Sequence, residues 1–552
     1  MTMYPQAIGP IPAETARIAR AAKPKGTLAM WLRDELGSIY RDEDFADLYP
    51  QRGQPALAPW RLALVTLLQY LEDLTDRQAA EAVSTRLDWK YLLGLELSDP
   101  GFDASVLSEF RERLLAQGAE GRLLDKLLQL CQEHGWLKAG SKMRTDSTHV
   151  LASVRSLHHL ETVAETLRAA LEDLAQQEPE WLLSCMPQEW FKRYEGRMDS
   201  RRLPKKEAER QKLAEQIGRD GLQLLSLLTS EQAPVTAHQL ASVQVLRQVW
   251  SQYYEEREGQ VCWRDGPAQG AAQGIVSPYD TDARLAQKRE LAWCGYKVHL
   301  TETCEADLPE LIVQVQTQLG PRPDVKETLA LQQELAQREL LPSEHLLDGG
   351  YLESEVLVKH PAGLRIIGPV PPDTSWQAQA GKGFALPDFH LDWNKQVVTC
   401  PQGQQSRSWR ERPEREGQIQ VTFAPAVCRA CPVRNDCTKA DHRELQVQPQ
   451  AQLEALQRQR ARQQTPQFRQ SYALRSGVEA TISQAVRRLP LRQSRYRGMP
   501  KVQLQEVVTA TALNCLRLYA YVNGVPRGTT WMSHLARLQR RGEQEPAQPA
   551  VA

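Results

Sequence analysis

The chain has 552 residues, of which 41% are hydrophobic and 25% charged, and 68 Lys and Arg balance 68 Asp and Glu. This composition is typical of a globular protein with several domains, and it excludes a collagen-like or largely disordered chain. No apolar stretch reaches the roughly 20 residues of a membrane-spanning helix. Since no secretory signal is recognised, we expect a cytoplasmic protein without a membrane partner, whose ten cysteines are thiols or metal ligands rather than disulfides.

The N-terminal part predicts a tail followed by a helical domain. Residues 1–26 contain four prolines and show no regular period, so a flexible tail is predicted there. Apolar residues then recur at helical spacing, and Thr75 with Asp76 is a typical helix start. Residues 27–118 are therefore predicted to form a helical DNA-binding domain. Short helices with short turns are compatible with a helix-turn-helix protein, and equally with any helical bundle.

The middle of the chain predicts a sheet. The local patterns of apolar residues predict strands over 142–150, 293–300, 311–317, 344–347 and 364–368, and a helix over 324–338. Three strands, a helix and a further strand is the order of a ribonuclease-H-like core, in which the first three strands are antiparallel. The fold class is thus α+β or α/β, with a mixed-sheet core formed by 119–150, 290–369 and 464–525.

Two helices complete this core, and two insertions interrupt it. Thr465 with Pro466 begins a helix that should run without a break to Leu489, and an apolar helix over 501–521 should pack on the sheet. Residues 151–289 are predicted to form a polar helical insertion, and residues 370–463 a cysteine-rich insertion with many Pro and Gly. Residues 526–552 are predicted to form a flexible basic tail.

Three acidic residues occur where ligands of a catalytic metal are expected. Asp146 lies in a strand, Asp348 follows one, and Glu479 lies on a helix, so rigid elements hold all three carboxylates. Alone, each has a simpler explanation, since an Asp after a strand is more often a turn residue and a helical Glu is usually solvated. Together they predict a site for two Mg²⁺ or Mn²⁺ ions, the usual arrangement for attack on a phosphodiester.

A tyrosine and several basic residues lie close to Glu479 in the sequence. Tyr472 and Arg475 precede it by seven and four residues, which would place the three side chains on one face of a continuous helix. A basic run follows, comprising Arg487, Arg488, Arg492, Arg495, Arg497 and Lys501. Such a run is often just a solvated surface, but its position directly after Glu479 favours a track that binds DNA phosphates.

The second insertion contains a candidate zinc site. Cys428, Cys431 and Cys437 form a C-x₂-C-x₅-C pattern, and Cys400 precedes them. Four thiolates can hold a structural Zn²⁺, which would stabilise a segment with little apolar content. The alternative is four free thiols.

Several motifs resemble one known family, the DDE transposases of bacterial insertion sequences. The similarity is to the group named for a Y-R-E-K helix, with an N-terminal domain of the InsH type. The motifs are Arg144-Thr-Asp-Ser-Thr148, Ser277-Pro-Tyr-Asp-Thr-Asp-Ala-Arg284, Gly295-Tyr-Lys-Val-His299 and Asp348-Gly-Gly-Tyr351. The resemblance implies that Asp146, Asp348 and Glu479 are the catalytic metal ligands, and that Tyr472 and Arg475 hold DNA phosphate.

The chain departs from the family pattern at one position. The family has Lys seven residues after the Glu, where this chain has Val486, followed by Arg487 and Arg488. A side chain one residue further along points about 100° further round the helix. Arg487 therefore replaces the family lysine only if its long side chain reaches back.

The resemblance predicts an enzyme that cleaves transposon-end DNA and joins the freed 3′-hydroxyls to target DNA. Its partners would be double-stranded DNA, as terminal inverted repeats and as target, and a second copy of the chain in a synaptic homodimer. Its place would be the bacterial nucleoid. Two alternatives stay open: a ribonuclease-H-like nuclease without strand transfer, and a catalytically retired regulator that only binds DNA.

Overall fold

The computed structural model describes residues 2–526 except 6, 51, 199–202, 259, 269, 271, 272 and 416, and also residues 534, 535 and 538. Most of the expected basic tail over 526–552 therefore lies outside the described residues. None of the helices in the described part of the chain is long and apolar enough to cross a membrane.

The N-terminal domain is helical, as predicted, but it begins earlier than predicted. Its helices are α1 (Ala13–Ala22), α2 (Leu28–Leu36), α3 (Pro59–Leu71), α4 (Asp76–Thr85), α5 (Leu87–Leu93), α6 (Ser105–Ala116) and α7 (Arg122–Glu133). The prediction of a flexible tail over 1–26 is wrong for residues 13–22, because they form α1, which packs against the domain. Thr15 and Ala19 are buried, and the Thr15 hydroxyl donates to the Leu95 carbonyl at 2.8 Å.

The first core strand, β1 (Met143–Leu151), is followed by the helical insertion. That insertion contains α8 (His159–Gln177), α9 (Pro179–Cys185), α10 (Gln188–Tyr194), α11 (Glu207–Leu228), α12 (Val235–Gln239), α13 (Ala241–Tyr253) and the hairpin β2 (Tyr254–Arg257) and β3 (Gln260–Trp263). It has a hydrophobic core of its own, around Val163, Leu167, Ile217 and Leu246. The prediction of a helical insertion is confirmed, whereas the hairpin was not predicted.

The central sheet has the predicted strand order. After the insertion come β4 (Arg284–Lys288), β5 (Leu291–Thr303), β6 (Ile312–Leu319), α14 (Val325–Gln337), β7 (Glu344–Leu347), α15 (Ser354–Lys359) and β8 (Arg365–Ile367). The strands lie in the order β4-β5-β1-β7-β8, and β6 also pairs with β5. β5 is antiparallel to β1 and β6, and β7 is parallel to β1. The result is a mixed sheet with β1 at its centre.

The cysteine-rich insertion is a small β unit. It contains α16 (Trp376–Ala380), β9 (His390–Asp392), β10 (Val397–Thr399), β11 (Ser408–Arg412), β12 (Gln418–Thr422), α17 (Pro425–Arg429), α18 (Arg434–Cys437), β13 (Glu444–Val447) and α19 (Gln450–Arg462). β11, β12 and β13 form an antiparallel sheet, and β9 pairs with β10. Its apolar cluster includes Phe389, Val421 and Phe423.

The helix predicted to run without a break to Leu489 is instead interrupted. Thr465 caps α20 (Pro466–Ala473) as predicted, a 3₁₀ turn follows at Leu474–Ser476, and α21 (Gly477–Arg488) comes next. The Arg144 side chain donates to the Leu474 carbonyl at 2.7 Å. In a continuous α-helix that carbonyl would pair with the amide of residue 478, so the contact with β1 favours the break.

The last helix, α22 (Met499–Val522), joins the sheet to the N-terminal domain. The Asn514 side chain accepts from the Ile312 amide and donates to the Ile312 carbonyl, both at 2.8 Å, which fastens α22 to β6. Apolar residues of α22 lie in one continuous core with those of α3 and α7. The predicted packing of this helix on the sheet is confirmed, and the N-terminal domain shares its core with the sheet.

Candidate active site

The three predicted carboxylates lie at one place in the fold. Asp146 is in β1, at the centre of the sheet, and Asp348 directly follows β7, the parallel neighbour of β1. Glu479 is in the first turn of α21, which packs against β1. The Gly350 amide donates to Asp348 Oδ1 and fixes the turn after β7.

One guanidinium contacts all three carboxylates. Arg475 Nη2 lies 2.7 Å from Asp146 Oδ2 and 3.5 Å from Asp348 Oδ2, and Arg475 Nη1 lies 2.8 Å from Glu479 Oε1. The side chains of Asp146 and Arg475 are 14% and 13% exposed, whereas those of Asp348 and Glu479 are 42% and 62% exposed. The structure therefore brings the three acids together, around a cation that the protein itself supplies.

Burial and charge act in opposite directions on Asp146. Burial raises the pKa of Asp146, the positive charge of Arg475 lowers it, and the negative charge of Asp348 raises it again; the net shift is upward. Burial lowers the pKa of Arg475, but Asp146 and Asp348 more than offset that effect. Three carboxylates share one guanidinium, so the site has an excess of negative charge that a further cation would relieve.

The donor atoms suit a hard divalent cation, but the present spacing does not. Carboxylate oxygens are the ligands that Mg²⁺ and Mn²⁺ prefer. Among the described residues, no group of three or more His, Cys, Asp or Glu side chains is close enough to hold a metal ion. The carboxylates stand apart around the Arg475 guanidinium, so a shared metal would have to take its place.

A cleft of about 390 Å³ opens beside the carboxylates. Its lining includes Asp146 and Glu479 and two of the predicted basic residues, Arg487 and Arg492. Arg492 Nε donates to the Thr148 hydroxyl at 2.9 Å, which places its guanidinium over β1. Arg487 is exposed.

The other predicted DNA-binding residues lie elsewhere. Arg495 contacts Asp73, donates to the Leu74 carbonyl at 2.8 Å and lies 4.7 Å from the Tyr70 ring centroid, so its donors tie the N-terminal domain to the core. The remaining residues of the set are placed as follows: Arg497 lies over the Tyr279 ring at 5.7 Å, Arg488 and Lys501 are exposed, and Tyr472 stacks on Phe468 with its ring centroid 5.7 Å away.

The four cysteines of the second insertion line one cavity of about 40 Å³. Cys400 follows β10, Cys428 lies in α17, Cys431 lies between the two short helices, and Cys437 ends α18. Burial raises the pKa of Cys437, while Arg443 lowers it and the neighbouring thiols raise it further. The structure thus places the predicted set around one cavity. The thiols are unbonded to one another, and as placed no three of them are close enough to hold a metal ion.

The sequence reasoning missed the charged residues that support the site. Arg144 and Glu302 are buried in neighbouring strands, and Arg517 lies in α22; all three meet beneath α21. A signal was present for Arg517, a charged residue inside the largely apolar sequence of α22, but not for Arg144 and Glu302, whose sequence neighbours are mostly polar. Buried charges of this kind are retained only when they are paired.

The mixed sheet thus brings three carboxylates together beside a cleft whose lining includes two arginines. Comparison with protein families gives the more specific assignment. Residues 22–113 match the family described as a transposase domain (DUF772), and residues 399–519 match the family described as a transposase DDE domain. Together these matches support a DDE transposase of the insertion-sequence type, as the motifs predicted.

Only the second match covers part of the site. The second includes Glu479, Arg475, Tyr472 and the four cysteines, whereas Asp146 and Asp348 lie outside both. No curated protein and no solved structure matches the chain.

The upward pKa shift of Asp146 predicts a gain in stability when its charge is removed. Between the ordinary pKa of 3.8 and the higher folded value, the folded state binds more protons than the unfolded state, so stability falls as pH rises through this window. We expect Asp146→Asn to raise the free energy of unfolding at pH 7 by about 1 kcal/mol. Denaturant unfolding measures it, and the gain should shrink below pH 3.8.

Asp47→Asn is the matched control. A hydrogen bond from Arg122 lowers the pKa of Asp47, so the Asp47 charge stabilises the folded state above its ordinary pKa and its loss should be destabilising at pH 7. A loss of stability at pH 7 in Asp146→Asn would contradict the electrostatic description of the site.

Proposed function

We propose that this transposase cleaves transposon-end DNA with divalent metal ions and joins the freed 3′-hydroxyls to target DNA. The observation that carries the proposal is the convergence of Asp146, Asp348 and Glu479 on one cation, beside a cleft lined by arginines. A ribonuclease-H-like fold is part of the proposal. The strand order β6-β5-β1-β7-β8, with β7 parallel to β1, supports it.

DDE transposase domains generally use divalent metals. We assign the binding of two Mg²⁺ ions, or Mn²⁺, to Asp146, Asp348 and Glu479. Bound ions would activate the attacking water or hydroxyl and stabilise the leaving oxygen. The protein's own contribution is position: β1 holds Asp146, the Gly350 amide fixes Asp348, and α21 carries Glu479.

Arg475 has two roles in this proposal. Without metal it neutralises part of the negative charge of the three carboxylates, at the distances given above. Divalent cations carry more charge and bind the same oxygens, so they compete with the guanidinium. Once released, Arg475 can donate two parallel hydrogen bonds to a DNA phosphate, the geometry that guanidinium groups favour. Tyr472 would contact the same phosphate, because it lies close enough to Arg475 and Asp348 for their charges to shift its pKa.

DNA would enter along the cleft. Arg487 and Arg492 line it, and exposed Arg488 extends the positive surface from the end of α21. Arg495 and Arg497 would act indirectly, by holding neighbouring parts of the protein. The N-terminal helices would bind the terminal inverted repeats, and two copies of the chain would hold the two ends, because joining requires both ends in one complex.

The four cysteines would hold a structural Zn²⁺. Cys400, Cys428, Cys431 and Cys437 line one cavity and supply the four sulfur ligands that Zn²⁺ favours. Metal binding would join α17, α18 and the end of β10, and so would contribute folding energy to an insertion with a small core.

Each of the variants Asp146→Ala, Asp348→Ala and Glu479→Ala should abolish cleavage and spare DNA binding. Loss of a metal ligand removes several kcal/mol of transition-state stabilisation, so a fall of at least ~10³-fold is expected. The assay incubates terminal-repeat DNA with Mg²⁺ or Mn²⁺ and resolves nicked and joined products on a gel. Glu133→Gln, at an exposed glutamate of α7, is the control and should cleave normally.

The same gel separates the alternatives. Nicked DNA without joined product from the unaltered protein would indicate a nuclease, and binding without any cleavage would indicate a regulator. Near-normal cleavage by one of the three variants would remove that residue from the proposed ligand set.

Arg475→Gln should bind Mn²⁺ more tightly than the unaltered protein when DNA is absent. Removing the guanidinium frees the three carboxylates, and we expect roughly a tenfold lower Kd, equivalent to about 1.4 kcal/mol. Titration monitored by electron paramagnetic resonance counts the free Mn²⁺. Arg492→Gln is the control, because Arg492 lines the same cleft but makes no ion pair with the carboxylates in the described structure, and its Mn²⁺ Kd should stay the same. An unchanged Mn²⁺ Kd in Arg475→Gln would refute the competition between the guanidinium and the metal.

The purified protein should contain one Zn²⁺ per chain. Native mass spectrometry measures the content, and Cys428→Ser or Cys437→Ser should lose the metal and make the 400–437 segment more sensitive to protease. Cys262→Ser, in β3 of the other insertion, is the control and should keep it. A zinc-free protein with four reactive thiols would exclude this site.

A further inference from the structure

A buried ion network lies directly beneath the helix that carries Glu479. We propose that Arg144, Glu302 and Arg517 are positioning residues, which hold the segment from Leu474 to Thr481 in register with Asp146. The inference rests on the proposed function for what the three carboxylates do, but the network itself is independent of the metal.

The Glu302 carboxylate is the centre of the network. It is fully buried on β5 and accepts three hydrogen bonds: from Arg144 Nε at 2.7 Å, from the Thr481 hydroxyl at 2.6 Å and from Arg517 Nη1 at 2.7 Å. Its donors come from β1, α21 and α22. A buried carboxylate needs such partners because its charge has lost contact with water.

Arg144 links this centre to the turn that carries Arg475. Its Nη1 donates to the Leu474 carbonyl at 2.7 Å, and its side chain is 4% exposed. Arg144 lies two residues before Asp146 on the same strand, so both side chains point to the same face of the sheet. One strand therefore provides the first carboxylate and also fixes the segment that carries the third.

The segment is held at both ends. Arg144 binds the carbonyl of Leu474, the residue before Arg475, while Thr481, two residues after Glu479, donates to Glu302 and accepts from Arg517 Nη2 at 2.6 Å. Glu479 itself is exposed, and its carboxylate pairs with Arg475 and not with the network. Its backbone position is therefore set by these two attachments.

Gly477 gives the network room. A Cβ atom at this position would lie 2.0–2.4 Å from three atoms of the Arg144 guanidinium, well inside van der Waals contact. The glycine backbone has an ordinary helical φ of −64°, so space and not conformation requires glycine here. Even a methyl group at 477 must displace either Arg144 or the start of α21.

Gly477→Ala tests the inference on the full chain. We expect it to raise the Mn²⁺ Kd in the absence of DNA by about tenfold and to lower kcat for cleavage by about 100-fold, with little change in KM for DNA. Thr481→Val removes the hydroxyl from Glu302 at nearly constant shape, and it should shift both quantities in the same direction by a smaller factor.

Leu335→Ala is the control for a purely structural effect. Leu335 is fully buried in α14, away from the network, so this variant should lower Tm and leave the Mn²⁺ Kd and kcat of the folded protein unchanged. The inference would be overturned if Gly477→Ala and Thr481→Val left the Mn²⁺ Kd and kcat unaltered. It would also be overturned if Leu335→Ala weakened Mn²⁺ binding and lowered kcat as much as they do. If the unaltered protein bound Mn²⁺ but cleaved no DNA, the proposed function would fail, and the Kd series would still decide the role of the network.

Discussion

The concentration of negative charge at one end of the sheet is the constraint on which this protein depends. Three carboxylates that approach one another repel, and burial of one of them adds a cost of desolvation. Arg475 offsets part of that repulsion by contacting all three. The negative charge that remains is the reason that we propose divalent cations as further partners. The same residues thus carry an electrostatic cost in the metal-free protein and supply the ligands for its proposed chemistry.

The sheet and its surroundings keep those charges together against their repulsion. β1 lies at the centre of the sheet and is paired on both sides, so Asp146 has little freedom. The buried network around Glu302 fastens α21 to the same strand. Buried ion networks add little net stability compared with apolar packing, but they fix one geometry, which is what a metal site requires. The N-terminal domain joins this frame through α22 and Arg495.

The local spacing of apolar residues predicted most of the core strands and helices, but not the contacts between residues that are distant in sequence. Alternation predicted the five main core strands within a few residues, and their motifs placed the three acids correctly on strand, turn and helix. The turn at Leu474–Ser476 could not be predicted, because the Arg144 side chain that favours it lies 330 residues away in sequence. The partners of Arg495 could not be predicted for the same reason, since they lie in the N-terminal domain. The prolines of the first 12 residues concealed α1, which begins directly after them.

Diffraction from crystals of the DNA-free protein soaked in Mn²⁺ tests the central claim most directly, because anomalous scattering locates the ion. The account predicts anomalous density among the oxygens of Asp146, Asp348 and Glu479, with the Arg475 side chain displaced from them. Density elsewhere in the protein, or no density with Arg475 still bound to the three carboxylates at saturating Mn²⁺, would contradict it.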